Sequence, residues 1–255
     1  MYGVSLKTKL RNKQLCIGTW ITLGNTAIAE IFAKAGFDWI VVDLEHSTIT
    51  IEQAGELIRT IDLSGVSPLV RLTSNDSSQI KRVMDAGAHG IIVPNINNSE
   101  DANLAVAATR YAPGGHRGVG LARAQQYGLK FLDYLEWQRE GPIVIVQIEH
   151  QSALDNLEDI FTTAGVDGFI IGPYDLSCSM GMPGEFDRPE FLSAINKILL
   201  TGIRVGCSAG IHIVEPDVEQ LQRVIGEGYN FIAYSVDIRI LDVSARTGVS
   251  VAKGI

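Results

Sequence analysis

Four apolar runs in this chain end abruptly on side chains that can do chemistry. Trp39-Ile40-Val41-Val42 runs into Asp43, Glu45 and His46, and the segment 67–70 runs into Arg71. The segment 143–146 leads to Gln147 and Glu149, and 168–171 leads to Gly172-Pro173-Tyr174-Asp175. A buried strand cannot carry an unpaired carboxylate or imidazole, so these groups must emerge where each run leaves the core. Glu149 and Asp175 would then face one another at neighbouring strand ends. Two such carboxylates repel unless a proton or cation lies between them, and oxygen donors with open positions suit Mg²⁺, Mn²⁺ or a similar divalent ion. The competing reading pairs Glu149 with Arg117 or Arg123 and lets Asp175 cap the following turn. Arg71 reads either as a forked donor for a substrate carboxylate or as a partner for Asp43 or Glu149. His46 is a base or a loop histidine beside a turn capped by Asp43, and His150 is a candidate second ligand.

The lysines exclude one mechanism. None follows a core strand, so a Schiff base on a desolvated strand-end lysine is not available. Cys207 reads as small core filler close to a strand end, and His212 as a residue lining the same region. His89 and His116 fall in turns and read as solvated.

The elements that must position these groups recur at regular spacing. Short apolar runs at 16–20, 39–43, 67–71, 90–94, 143–148, 168–171, 203–206 and 231–234 alternate with helical patterns. The helices fall at 25–35, 51–62, 76–86, 99–111, 154–163, 189–200, 216–227 and from 237 onward. Eight strands alternating with eight helices predict a TIM (β/α)8 barrel. A doubly wound open sheet would bring a glycine-rich turn after its first strand, and Trp20-Ile21-Thr22-Leu23-Gly24 is no such turn. In a barrel the carboxyl ends of all strands converge on one mouth. That rule gathers the residues above, and it adds Ser208 after the seventh strand as a substrate-binding candidate. The long segment 116–127, with Arg117, Arg123, Gly118 and Gly120, reads as a lid or substrate loop ahead of an extra helix at 129–139.

Composition narrows the partners. No linker or charge block divides the 255 residues, which predicts a single domain over 1–255. A net charge of -8 leaves no basic stripe for nucleic acid or an anionic membrane. No apolar run approaches the roughly 18 residues of a membrane span, and the first thirteen residues contain no apolar leader core. The three cysteines are odd in number and widely spaced, which argues for a reducing, cytoplasmic setting. A small soluble substrate is the expected partner.

Taken together, WIVVDLEH at 39–46, Arg71, DAGAHGIIVP at 85–94, RGVG at 117–120, QIE at 147–149 and GPYDLSCSMGMPG at 172–184 resemble the HpcH/HpaI family of metal-dependent pyruvate aldolases. The resemblance covers nearly the whole chain, in order and at compatible spacing. It implies a TIM barrel, assembled as a homohexamer with the last helix exchanged between subunits. It implies Glu149 and Asp175 as ligands of a divalent metal ion (Mg²⁺, Mn²⁺ or Co²⁺), Arg71 as the arginine holding a pyruvyl group, and His46 with Asp43 as the base dyad. Gln147 would sit beside the metal and ketoacid, the backbone at Gly172-Pro173 would donate to the substrate carboxylate, and Asp85 would approach the site from a neighbouring subunit. The implied reaction is reversible cleavage of a 4-hydroxy-2-oxoacid to pyruvate and an aldehyde. An oxaloacetate decarboxylase, a citramalyl- or malyl-type lyase, and a non-catalytic barrel are the rivals. The segments 121–131 and 208–212 depart from the family pattern, which leaves the aldehyde open.

Overall fold

A computed structural model describes residues 4–254 of the chain. A helix, α1 (Val4–Arg11), precedes strand β1 (Cys16–Ile21), and α2 (Thr26–Ala35), β2 (Trp39–Asp43), α3 (Ile51–Leu63) and β3 (Ser67–Arg71) follow. Next come α4 (Ser77–Asp85), β4 (Gly90–Val93), α5 (Ser99–Thr109), α6 (Phe131–Trp137) and β5 (Ile143–Ile148). The chain continues through α7 (Leu157–Thr162), β6 (Gly168–Ile171), α8 (Pro173–Ser179), α9 (Pro189–Val205) and β7 (Ser208–Ile213). It ends with α10 (Val218–Glu227), β8 (Phe231–Val236) and α11 (Asp237–Lys253). The strands pair in sequence order and β8 closes on β1, all parallel, which is the predicted (β/α)8 barrel. No helix among the described residues is long and apolar enough to cross a membrane.

Local chemistry explains the element ends. Thr50 caps α3 in a reciprocal arrangement with Gln53, and Gly36 at φ 95° ends α2 in the left-handed conformation that a side chain resists. Strand side chains alternate between two apolar layers. One lies between strands and helices, and the other fills the barrel, where Trp39 stacks on Phe231 at 4.2 Å. Gly18 is required there, because a Cβ would fall 2.0 Å from the Trp39 ring.

The structure corrects three expectations. α1, absent from the sequence reading, closes the amino-terminal rim: Leu6 and Leu10 join the barrel interior, while Lys7 pairs with Asp167 at 2.7 Å. The seventh strand is Ser208–Ile213 and not 203–206, because residues 203–205 continue the buried spacing of α9 until Gly206, at φ 71°, stops it. Ser208 therefore opens its strand at the closed rim, fully buried, donating to the Leu10 carbonyl at 2.8 Å, and it cannot bind substrate at the mouth. Cys207 lies at that same closed rim, buried, with its thiol pushed up to about 12 by burial. Finally, the segment 116–127 is no lid over the mouth. Arg117 is buried over Tyr111 and Tyr134, and Arg123 pairs with Asp62, which also binds His89 at 3.1 Å and leaves that histidine buried.

Candidate active site

A cavity of about 380 Å³ opens among the carboxyl ends of the strands, lined by Trp20, His46, Arg71, Gln147, Asp175 and His212 among others. Its fixed point is Arg71, the last residue of β3. The β2–β3 register places Asp43 directly opposite, so its carboxylate takes both Nε of Arg71 at 2.8 Å and Nη2 at 2.6 Å. Glu45 adds a contact to Nη1 at 3.2 Å, and the Trp20 ring lies under the guanidinium at 4.4 Å. Held on three sides, the guanidinium keeps donors to turn toward the cavity it lines.

Asp43 organises the following turn through the main chain. Its Oδ1 accepts the backbone N–H of Glu45 at 3.0 Å and of His46 at 3.3 Å. The acid nearest the His46 ring is Glu45, at 4.0 Å, and the ring itself is exposed at the cavity edge. The expected dyad thus takes a different form, with Asp43 clamping Arg71 and the loop, and Glu45 standing beside the imidazole.

Glu149 follows β5 and is 5 % exposed. The backbone N–H of Asn95 donates to its Oε1 at 2.7 Å, with Asn95 at φ 54°, a conformation asparagine tolerates better than most residues. Its Oε2 accepts from the Gln147 amide. Neither Arg117 nor Arg123 approaches it, so that reading of Glu149 is set aside. Burial raises the Glu149 carboxyl above the usual range, and the charge of Asp175 adds to the effect. Asp175 lies exposed in the first turn of α8, one strand over. Gly172 joins the two strand ends so tightly that a Cβ would meet Glu149 Oε2 at 2.9 Å.

The backbone donors expected at Gly172-Pro173 are not available. Gly172 N–H donates to the Ile148 carbonyl at 3.1 Å, a ladder bond continuing β5–β6, and proline has no N–H. Both residues remain as cavity walls. His150 caps the turn at 151–155 by accepting from Ser152 N–H, which leaves it a structural role. His212 lines the cavity, 5.1 Å from the Trp20 ring, and burial, with the charge of Arg71, lowers it to about 4, so it is neutral at ordinary pH.

Glu45 is the residue that sequence reasoning undervalued. Burial raises its carboxyl to about 7 against the pull of Arg71, and Glu149, Asp43 and Asp175 push in the same upward direction. Its Oε2 is buried without a hydrogen-bond partner. Its position two residues after Asp43, on the same turn, was the available signal.

One arginine, already engaged, is set against four acids. That excess of oxygen donors around Glu149 and Asp175 fits a hard divalent cation. Among the described residues no trio of His, Cys, Asp or Glu could hold such an ion alone.

The chain is similar to known proteins over most of its length. Residues 16–242 match the family model described as HpcH/HpaI aldolase/citrate lyase. A pyruvate aldolase of Rhizobium etli is 41% identical over 236 residues, 92% of each chain. A 2-keto-3-deoxy-L-rhamnonate aldolase of Escherichia coli K12 is 36% identical over 237 residues, covering 91% of this chain and 86% of its own. A crystal structure of an HpcH/HpaI aldolase/citrate lyase family protein from Burkholderia cenocepacia superposes with a TM-score of 0.92 at 32% identity, covering 98% and 99% of the two chains.

Proposed function

The chain belongs to the HpcH/HpaI aldolase/citrate lyase family, and from that premise we propose how it works as an aldolase, a carbon–carbon lyase releasing pyruvate and an aldehyde from a 4-hydroxy-2-oxoacid. The observation that carries the proposal is Arg71, locked in a bidentate grip by Asp43 at the wall of a cavity that crowded carboxylates surround.

Glu149 and Asp175 would hold a divalent cation, Mg²⁺, Mn²⁺ or Co²⁺, whose chemistry when bound is to polarise a keto oxygen and stabilise negative charge there. Arg71 binds the ketoacid carboxylate with the N–H groups that Asp43 and Glu45 leave over. Gln147, fixed by Glu149, lines the wall beside it. His46, at the cavity edge, takes the proton of the C4 hydroxyl. The C4–O bond becomes the aldehyde carbonyl, the C3–C4 pair stays with the three-carbon fragment, and His46 returns the proton to C3. Glu45 Oε2 stands 4.0 Å from the ring that carries the proton in between. Trp20 and neutral His212 close the floor with groups that bring no competing charge.

The relatives' names point to 2-keto-3-deoxy sugar acids as the first substrates to try. The exposed Ile238, Leu241, Val249 and Val251 of α11 support its exchange with a second copy in a homo-oligomer, six-membered in line with the resemblance. The three free thiols support a cytoplasmic setting.

The test measures pyruvate release from 4-hydroxy-2-oxoacids, oxaloacetate and an acyl-thioester in parallel, with added Mg²⁺ or Mn²⁺. Release together with an aldehyde from the first class is expected. Turnover of oxaloacetate alone would instead assign a decarboxylase, and turnover of the thioester alone a citramalyl-type lyase.

A further inference from the structure

The closed rim carries a second cavity, about 500 Å³, lined by Lys7, Arg11, Lys13 and Arg110 with only Glu140 and Asp167 as acids. Lys7 is matched by Asp167 at 2.7 Å and Arg11 by Glu140 at 3.2 Å. Lys13 and Arg110 have no acid among the described residues, and the Nε of Arg110 is buried without a hydrogen-bond partner. The wall is shaped around that guanidinium: Gly165 sits at φ +102°, and a Cβ there would fall 2.6 Å from Arg110 Nη2. Burial lowers the Lys7 ammonium, with Arg11 and Arg110 adding to the effect, so the cations here destabilise one another. An unmatched guanidinium, kept partly dry and given room by a glycine, is a receptor for charge of the opposite sign.

We propose that this cavity binds a small, multiply charged anion, a phosphate or polycarboxylate, clamped between Arg110 and Lys13 on the face of the barrel opposite the reacting centre. Arg110 supplies planar paired donors, and Lys13, exposed on the turn after α1, supplies a flexible second charge. Lys7 and Arg11, already paired, add long-range attraction. The cavity is several times the size of one phosphate, so a charged group attached to an organic body fits better than a bare ion.

The experiment is isothermal titration of the full chain with inorganic phosphate and, separately, with citrate. Ionic strength is held constant with NaCl, and each titration is run with and without saturating pyruvate. Saturable binding of either anion that pyruvate leaves unchanged is expected. Phosphate alone binding would assign a phosphate ester, and citrate alone a polycarboxylate. Lys13→Ala, at an exposed position, should weaken binding about threefold, and Lys13→Ala with Arg110→Ala at least about tenfold, with pyruvate-releasing activity unchanged in both. No saturable binding, displacement by pyruvate, or the same affinity in Lys13→Ala would overturn the inference. The single variant keeps the test decisive even if the double variant folds poorly.

Discussion

The two rims of the barrel are built from the same strands and treat charge in opposite ways. At the closed rim Lys7, Asp167 and Ser208 each have a partner, whereas Lys13 and Arg110 pair with no acid among the described residues. Lys7 reaches Asp167 and the Pro142 carbonyl, Asp167 also accepts Val144 N–H, and Ser208 donates to Leu10. At the open rim, Glu45, Glu149 and Asp175 crowd one another around a single arginine, and Asn95, in a left-handed conformation, donates its N–H to Glu149. Satisfied polar groups stabilise a fold, whereas mutually opposed ones lower their energy only when a ligand arrives. On the proposed function, the difference separates Lys7, Asp167 and Ser208, which hold the barrel together, from the open-rim acids, which await cation and substrate.

Substitutions at each rim can break that separation. His46→Ala should lower turnover on the order of 10³-fold while leaving divalent-cation affinity unchanged, measured by steady-state kinetics and metal titration. Equal losses of both would make His46 a ligand. At the other rim, Lys7→Met leaves the Asp167 charge buried alone and should remove about 3–5 kcal/mol of stability, read by denaturant unfolding, with turnover per folded molecule intact.

The pH dependence sharpens the contrast. The folded carboxyl of Glu45 stands near 7 and its unfolded value near 4.5, so the folded chain prefers the protonated form. Below 4.5 both states are protonated. As pH rises from 4.5 to 7 only the unfolded state ionises, so this residue removes about 3 kcal/mol of stability across that window and nothing further above it. In cation-free protein, unfolding of wild type and Glu45→Gln compared at pH 4, 5.5 and 7.5 should show the variant gaining relative stability as pH rises. A difference independent of pH would mean that Glu45 is not under this pressure. The smallest effect belongs to Ser208→Ala, which should cost about 1 kcal/mol of stability and leave KM for the ketoacid unchanged. A raised KM would return Ser208 to the mouth.

Most of the barrel was legible because most strands are short, largely apolar runs bounded by turn residues, a pattern that survives without knowledge of contacts. That Arg71, Glu149 and Asp175 come to the same rim was legible because each ends a strand or follows one within a few residues. What failed depended on a boundary or a partner. Residues 203–205 fit a strand and the last turn of a helix equally well, and only the helix stop at Gly206 decides, which moved Ser208 and Cys207 to the opposite rim. α1 was missed because its apolar residues are few, and only the barrel floor they meet makes them core. The backbone donors at Gly172-Pro173 failed because a motif does not reveal that the N–H already serves the sheet. Glu45 beside His46 is likewise a matter of geometry that the letters D-L-E-H do not encode.

The central claim is that Glu149 and Asp175 together hold one divalent cation that the reaction requires. It is tested most directly by titrating metal-stripped wild type, Glu149→Gln and Asp175→Asn with Mn²⁺, with exchange of the pyruvate C3 protons followed in the same samples. One saturable site in wild type is expected, lost or at least about 100-fold weaker in each variant, with exchange disappearing in step. Wild-type affinity retained in either variant, or metal-independent exchange in the stripped protein, would contradict the account.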